Sequence, residues 1–212
     1  MEKTVLHVLT VFMGFFAIMN PIANVPIFIG LTSDDDQQTI KAVAFKALIL
    51  AFIIVALFSI AGKFIFDLFG LTLPAFRITG GLLVFLVGFH MLQGSHSSVQ
   101  HPQGAEKQKP REEVLGVAVS PLAMPILAGP GTIATAMNFA SGGGIMELIV
   151  TVIMFGVLCV ITYVLFVFGE KFVSYIGVSA MGVITRMMGL ILAAIGTQMV
   201  IEGVQGAFKL AG

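Results

Sequence analysis

Long apolar stretches without charge dominate the chain and are separated by short polar segments. The six longest cover residues 4–33, 47–62, 78–105, 114–146, 148–169 and 187–201. A helix needs about 20 mostly apolar residues to cross the hydrocarbon core of a bilayer. The shorter stretches reach this length with flanking lysines, whose stems extend to the interface. The pattern predicts six transmembrane helices, over residues 5–31, 42–66, 75–94, 114–138, 146–168 and 184–208.

Composition supports a polytopic membrane protein. Of the 212 residues, 58% are hydrophobic and only 10% are charged, with a mean hydropathy of +1.04, whereas about a quarter of the residues in soluble domains are charged. The net charge is zero and there is no basic tract, so nothing points to nucleic acid. The first apolar stretch is too long for a secretory leader. We therefore expect a retained first helix and a chain surrounded by lipid bilayer.

Lysine and arginine are unevenly distributed between the two ends of the predicted helices. One end carries Lys3, Lys63, Arg77 and Lys209, and the other carries Lys41, Lys46, Lys107, Lys109, Arg111, Lys171 and Arg186. Cytoplasmic segments of membrane proteins are enriched in these residues. The count predicts that both chain termini lie outside the cytoplasm.

A polar segment divides the chain near its middle. Residues 95–113 are rich in Gln, Ser, His and charge and are expected to form a cytoplasmic linker between a half at 1–94 and a half at 114–212. Each half holds three predicted helices, and an odd number inserts the second half upside down relative to the first. The expected fold is all-α, a 3+3 inverted-topology repeat forming one membrane domain.

Matching residues in the two halves share one register. Pro21 and Pro130 are 109 residues apart (130 − 21), and Arg77 and Arg186 have the same separation (186 − 77). At this offset Gly80 also coincides with Gly189. The shared register supports a duplication.

The first and fourth predicted helices carry helix-breaking residues in their interiors. Proline removes a backbone donor and clashes with a preceding carbonyl, so both helices are expected to be discontinuous near the midplane. Broken helices are tolerated there only where protein or a water-filled cavity satisfies the freed groups, although prolines also merely kink membrane helices. Paired breaks point to a transporter's substrate site. The candidate substrate-binding residues are Asn20, Pro21, Asn24, Pro26, Ser120, Pro125, Gly129, Pro130, Gly131 and Thr132.

The chemistry around the predicted breaks is neutral. Asn20, Asn24, Ser120, Thr132, Thr135 and Asn138 can form hydrogen bonds but carry no charge. N–H groups freed at a helix start favour an anion, and carbonyls freed at a helix end favour a cation. Together these groups suit a zwitterion. No cofactor or metal site is expected. Transport coupled to H⁺ would need a carboxylate at the midplane, and none is obvious there. Transport coupled to Na⁺ through backbone carbonyls and uncoupled flux both stay open.

The third and sixth predicted helices carry candidate gating or structural residues. Arg77 and Arg186 each begin one of these helices, either anchoring it at the interface or bonding the broken backbone of the other half. Gly80 and Gly189 allow close helix packing within one chain or between protomers. A homo-oligomer therefore stays open.

Short motifs in the predicted helices resemble those of the MarC family, also called the small neutral amino acid transporter family, which includes SnatA-type proteins. The resemblance rests on Asn20-Pro21-x-x-x-x-Pro26, Pro121-Leu122-Ala123-x-Pro125, Gly129-Pro130-Gly131, Phe76-Arg77-Ile78-x-Gly80-Gly81 and Ile184-Thr185-Arg186-x-Met188-Gly189-Leu190. It implies transport of glycine, alanine or threonine-like solutes, often outward, across the inner (plasma) membrane of a bacterium or archaeon.

Other functional classes fit less well. The sequence has no HExxH motif and no serine–histidine arrangement at membrane depth, so we do not expect an enzyme. A small-solute or ion channel is the main alternative, because broken helices also build pores.

Overall fold

The computed structural model describes residues 2–32, 35–93, 122, 127–141 and 144–208. This part of the chain contains helices and no strand, as the sequence predicts. We number the principal helices α1 (Glu2–Met19), α2 (Pro21–Leu31), α3 (Gln37–Phe69), α4 (Leu73–Leu92), α5 (Pro130–Ser141), α6 (Ile145–Val167), α7 (Gly169–Ile176) and α8 (Val178–Phe208).

Five segments of the described residues are long and apolar enough to cross a membrane. They are Val5–Leu31, Gln37–Gly62, Leu73–Leu92, Ile145–Val167 and Ser179–Phe208. The first combines α1 and α2. The sixth predicted span, residues 114–138, lies partly outside the described residues, as does the whole of the predicted linker at 95–113. Helix α5 covers the last part of that span and extends to Ser141.

Several helices extend beyond the spans predicted from hydropathy. Helix α3 begins at Gln37, where the Asp36 side chain accepts a hydrogen bond from Thr39 N at 3.0 Å. It ends at Phe69, and the C-cap residue Gly70 adopts a left-handed conformation with φ 63°. Helix α8 begins at Val178, and the separate helix α7 is not predicted from the sequence. The predicted span 42–66 stopped beside Lys41 and Asp67, but α3 continues past both, as helices do where charged ends reach the interface.

The order of the spans defines two ends of the molecule. The terminal end contains the start of α1, the α3–α4 turn and the end of α8. The linker end contains the α2–α3 connection, the end of α4 and helix α7. Helices α1 and α2 together, α4 and α6 run toward the linker end, whereas α3, α5 and α8 run toward the terminal end.

Glycines bring α4 and α8 together along their length. A Cβ atom built on Gly196 would lie 2.4 Å from the backbone nitrogen of Phe85, and one on Gly88 would lie 2.5 Å from that of Ala193. Gly189 faces Gly88 in the same contact. The helices are therefore antiparallel and in backbone contact. Gly189 serves packing within the chain in this structure, which is one of the two roles expected for it.

Helix α5 packs against both the first span and α4. A Cβ atom on Gly80 would lie 3.0 Å from Ala134 Cβ, so Gly80 also allows close packing within the chain. On the other side of α5, Phe139 meets the Phe15 ring edge-on, with centroids 5.7 Å apart. The start of α5 is thus held between α1 and α4, where the candidate residues of the two halves meet.

Candidate functional site

The first span is interrupted at Asn20. Helix α1 ends at Met19 and helix α2 begins at Pro21. Asn20 lies between them with φ 41° and ψ 66°, and it is the one non-glycine residue with positive φ among the described residues. Asparagine tolerates this left-handed conformation better than most side chains. Pro21 suits the first position of a helix because its fixed φ is helical and that position needs no N–H donor.

Two asparagine side chains bond the backbone groups that the interruption frees. Ala23 N donates to Asn20 Oδ1 at 3.4 Å, which caps the start of α2. Asn24 Nδ2 donates to the Met19 carbonyl oxygen at 2.7 Å, which satisfies an acceptor at the end of α1. Both asparagines are 5% exposed. Their amides therefore replace hydrogen bonds that a continuous helix would form.

The start of α5 lies beside the end of α1. A Cβ atom on Gly131 would approach Ile18 Cδ1 to 2.9 Å, so only glycine fits this contact without displacing the isoleucine. The carbonyl oxygen of Gly129, the residue before α5, accepts a hydrogen bond from Ile133 N at 3.0 Å. The structure thus brings Gly131 and Thr132 close to the interruption at Asn20, across more than a hundred residues of sequence.

Two threonines near the start of α5 have unpaired hydroxyl groups. Thr132 is 0% exposed and Thr135 is 1% exposed, and neither hydroxyl oxygen has a hydrogen-bond partner among the described residues. An unpaired buried hydroxyl costs about 1–3 kcal/mol. Elsewhere hydroxyls bond the carbonyl one turn earlier, as those of Thr10, Thr32, Ser59, Thr79, Thr151, Thr162 and Thr197 do. Thr132 and Thr135 are therefore available to a ligand.

The polar side chains buried in the described part of the chain are uncharged. Thr162 of α6 reaches the interruption from a third direction, with its Oγ1 3.8 Å from Met19 Sδ. The buried polar side chains are those of Asn20, Asn24, Thr32, Ser59, Thr132, Thr135, Asn138, Thr151 and Thr162. In the same residues no group of three His, Cys, Asp or Glu side chains is placed to hold a metal ion. This arrangement can bind a neutral solute by hydrogen bonds.

A family model for MarC family integral membrane proteins matches residues 5–208. The chain belongs to the MarC family. It is 39% identical to the UPF0056 membrane protein YvbG of Bacillus subtilis, over 94% of this chain and 95% of that relative. It is 33% identical to a UPF0056 membrane protein of Aquifex aeolicus, over 93% and 92% of the two chains. The family assignment confirms the resemblance and makes the protein a multi-pass integral membrane protein.

A more distant relative shows how far the likeness extends. The UPF0056 membrane protein YhcE of Escherichia coli is 30% identical, over 93% of this chain and 91% of the relative. No solved structure significantly matches the MarC chain. The match to each of these relatives covers nearly the whole of both chains, so it includes the two halves rather than one motif.

Not every predicted candidate faces the interruption. Pro26 is exposed, and α2 continues through it without a break. Pro130 is exposed at the start of α5, and Arg186 is exposed on α8. Ser120 and Pro125 lie outside the described residues of the MarC protein. Asn20, Pro21 and Asn24 lie at the interruption, and the contact of Gly131 with Ile18 brings the start of α5, with Gly129 and Thr132, beside it. Thr135 follows on the same helix.

Arg77 lies at the terminal end and bonds a side chain rather than freed backbone. Its Nε donates to Asn138 Oδ1 on α5 at 2.7 Å and lies 3.9 Å from Glu202 Oε2 on α8. Gln198 Nε2 donates to Glu202 Oε1 at 3.2 Å. Sequence reasoning missed this cluster because Arg77 and Asn138 are 61 residues apart and no spacing links them. The cluster ties three helices of the MarC protein together.

A cleft of about 240 Å³ opens at the linker end. Its lining includes Thr32, Gln37, Lys41 and Lys171, together with the rings of Phe28 and Phe166. These rings stack nearly parallel, with centroids 4.3 Å apart and planes 5° from parallel.

Buried residues lead from this cleft to the interruption. Asn24 and Phe28 are four residues apart on one face of α2, and the residues that cap its two ends, Asn20 and Thr32, continue this spacing. All four are buried. The four-residue spacing is visible in the sequence, but it does not reveal the partner ring of Phe166. Phe28, which stacks on Phe166, therefore lies along α2 between Thr32 at the cleft and Asn24 beside the interruption.

Proposed function

We propose that this MarC protein is a secondary transporter that exports small neutral amino acids, such as glycine, alanine or threonine, across the inner (plasma) membrane of a bacterium or archaeon. The observation that carries the proposal is the buried, uncharged, hydrogen-bonding cluster at the interruption of the first span. A neutral solute placed there needs no compensating fixed charge, whereas a net-charged solute would be costly in a low-dielectric interior. Unpaired hydroxyls at Thr132 and Thr135 offer donors and acceptors for it.

The proposed architecture is six spans arranged as a 3+3 inverted repeat with discontinuous first and fourth helices. In support, α2 begins at Pro21 and α5 begins at Pro130, the same offset that relates Arg77 to Arg186. The antiparallel contact of α4 with α8 is the arrangement expected for the third helices of two inverted halves. The halves would be residues 1–94 and 114–212, joined by a linker at 95–113.

Access to the interruption would alternate between the two ends. At the linker end, separation of the stacked Phe28 and Phe166 rings would open the path from the cleft. At the terminal end, release of the Arg77–Asn138 bond would free α5 from α4. Opening one contact while the other is closed is the requirement for a carrier, because a path open at both ends would be a channel.

The linker end is proposed to face the cytoplasm, with both termini periplasmic or extracellular. It carries the larger share of lysine and arginine, including Lys41 and Lys171 at the cleft. Cysteine-specific labelling of intact cells tests this orientation. A cysteine at Tyr175, which is 91% exposed, should react only after the membrane is permeabilised, whereas a cysteine at Leu71 should react in intact cells.

The transport proposal is tested by counterflow. Purified protein is reconstituted into liposomes loaded with unlabelled glycine, and uptake of labelled glycine, alanine and threonine is followed with and without imposed H⁺ and Na⁺ gradients. Saturable counterflow above empty liposomes supports a carrier, and the effective gradient identifies the coupling ion. Rapid flux that does not saturate would replace the carrier with a channel. No flux for any of the three solutes would reject this substrate class.

A further inference from the structure

We propose that the start of α5 binds the carboxylate of the transported amino acid, with its ammonium group directed to the end of α1. This assignment rests on the proposed function and adds an orientation to it. It identifies the ligand class as α-amino acids with both ionised groups intact. Three features of the described residues carry it: the capping of the two helix starts, the two unpaired hydroxyls and the polarity of the facing helix ends.

The starts of α2 and α5 differ in whether a side chain caps their free N–H groups. At α2, Asn20 supplies its own side-chain oxygen to Ala23 N. At α5, the corresponding cap position is Gly129, which has no side chain to offer. The N–H groups in the first turn of a helix lack intrahelical acceptors and carry partial positive charge. The start of α5 is therefore the better anion site of the two.

The unpaired hydroxyls point to a ligand at this helix start. Thr132 lies in the first turn of α5, and Thr135 follows less than one turn later. Thr135 could bond the Gly131 carbonyl as other buried hydroxyls in the structure do at the same spacing, but it has no partner in the part of the chain that the structure describes. A carboxylate would accept both hydroxyl protons and first-turn N–H groups. Hydrogen bonds to an ionised group are stronger than those between neutral groups.

The same face of α5 is turned toward the first span. Phe139, one turn beyond Thr135, packs against α1 at Gly14, where an added Cβ would lie 2.9 Å from the Phe139 ring. Gly131, one turn before Thr135, meets Ile18. Thr135 lies between these two contacts on a helix that runs antiparallel to α1. The Thr132 and Thr135 side chains consequently face the end of α1.

The end of α1 complements an ammonium group. Residue 21 is proline and has no N–H, so the carbonyl of Ala17 cannot receive the bond that a continuous helix would supply. The carbonyl end of a helix carries partial negative charge. An amino acid lying between α5 and α1 would thus meet positive charge at one end and negative charge at the other.

The test measures half-saturation for glycine in the counterflow assay, with glycinamide as a competitor that lacks the carboxylate. In the wild-type protein, alanine should compete with labelled glycine and glycinamide should not. Thr132→Val and Thr135→Val remove one hydroxyl each at nearly constant volume. Each should raise the half-saturating glycine concentration roughly ten- to a hundredfold, as loss of a hydrogen bond to an ionised group does. Thr132→Ser keeps the hydroxyl and should therefore give the wild-type half-saturating glycine concentration.

A matched control is Thr151→Val, because Thr151 is also 0% exposed but bonds the Glu147 carbonyl of its own helix. It should leave half-saturation unchanged. Wild-type flux with unchanged half-saturation in both valine variants would overturn the assignment, and so would effective competition by glycinamide. The glycinamide arm decides the question even where a valine variant fails to fold. Absence of wild-type flux would instead refute the transport proposal itself.

Discussion

Asn24 Nδ2 donates a 2.7 Å hydrogen bond to the Met19 carbonyl oxygen, across the residue at which the first span is interrupted. The bond joins the end of α1 to the first turns of α2. Because Asn24 is buried, water cannot replace its amide without opening the helix packing. The interruption is therefore part of the folded structure and is held by a specific side chain.

Replacement of Asn24 by leucine should destabilise the protein. The change keeps a side chain of similar size but leaves the Met19 carbonyl buried and unpaired, at an expected cost of about 1–3 kcal/mol. Thermal unfolding in detergent measures the effect. Thr10→Val is the control, because the Thr10 hydroxyl bonds its own helix at an exposed position, and its effect should stay within about 0.5 kcal/mol. Equal stability of both variants would contradict a structural role for Asn24.

Arg77 and Asn138 should be energetically coupled. A double-mutant cycle with Arg77→Met and Asn138→Leu should give a coupling free energy of about 1.5–3 kcal/mol, typical of a hydrogen bond to a charged group. Glu202 lies 3.9 Å from Arg77, and its side chain is 39% exposed. Glu202→Gln should consequently cost less than about 1 kcal/mol. A larger loss of stability for Glu202→Gln than for Asn138→Leu would show that Glu202, not Asn138, is the stronger partner of Arg77.

The glycines between α4 and α8 should not tolerate alanine. Gly196→Ala would place a methyl group 2.4 Å from Phe85 N, and the resulting overpacking should cost about 1–3 kcal/mol or more. Gly182 lies on the same helix with nothing within 4 Å of its added Cβ, so Gly182→Ala should be neutral or stabilising by up to about 1 kcal/mol. Thermal unfolding of the two variants checks this. The prediction fails if they unfold at the same temperature.

Truncation of Phe166 should open the path from the cleft to the interruption. In a Cys159→Ala background, a cysteine at exposed Gln37 should react with a membrane-impermeant thiol reagent from the linker end. A cysteine at Asn24 should react only when Phe166→Ala is also present. Phe168→Ala is the matched control, since Phe168 lines the same cleft but is 55% exposed.

Phe166→Ala also removes a buried ring, which should lower stability by about 3–5 kcal/mol. Folding is therefore checked by size-exclusion chromatography before labelling. Equal labelling of the Asn24 cysteine with and without Phe166 would show that the stacked rings do not close the path.

Hydropathy and proline position were sufficient to predict the helical class, the position of the first span and its interruption. Residues 5–31 coincide with the observed span Val5–Leu31. The interruption falls at Asn20-Pro21 because proline lacks an N–H and asparagine tolerates positive φ, and both are properties of single residues. The ends of the other helices were less predictable, since amphipathic segments such as Gly169–Ile176 lie where no long apolar run marks them.

Hydropathy, proline position and side-chain chemistry can be read from the sequence, and they predict a polytopic helical membrane protein with a break and neutral polar residues in its first span. Which distant residues pair with one another, namely Gly131 with Ile18, Arg77 with Asn138 and Phe28 with Phe166, follows only from the tertiary structure. Local rules act over one or two helical turns, whereas these pairs depend on how whole helices cross. The unpaired state of Thr132 and Thr135 is likewise a tertiary property, because a hydroxyl's partner is set by everything packed around it.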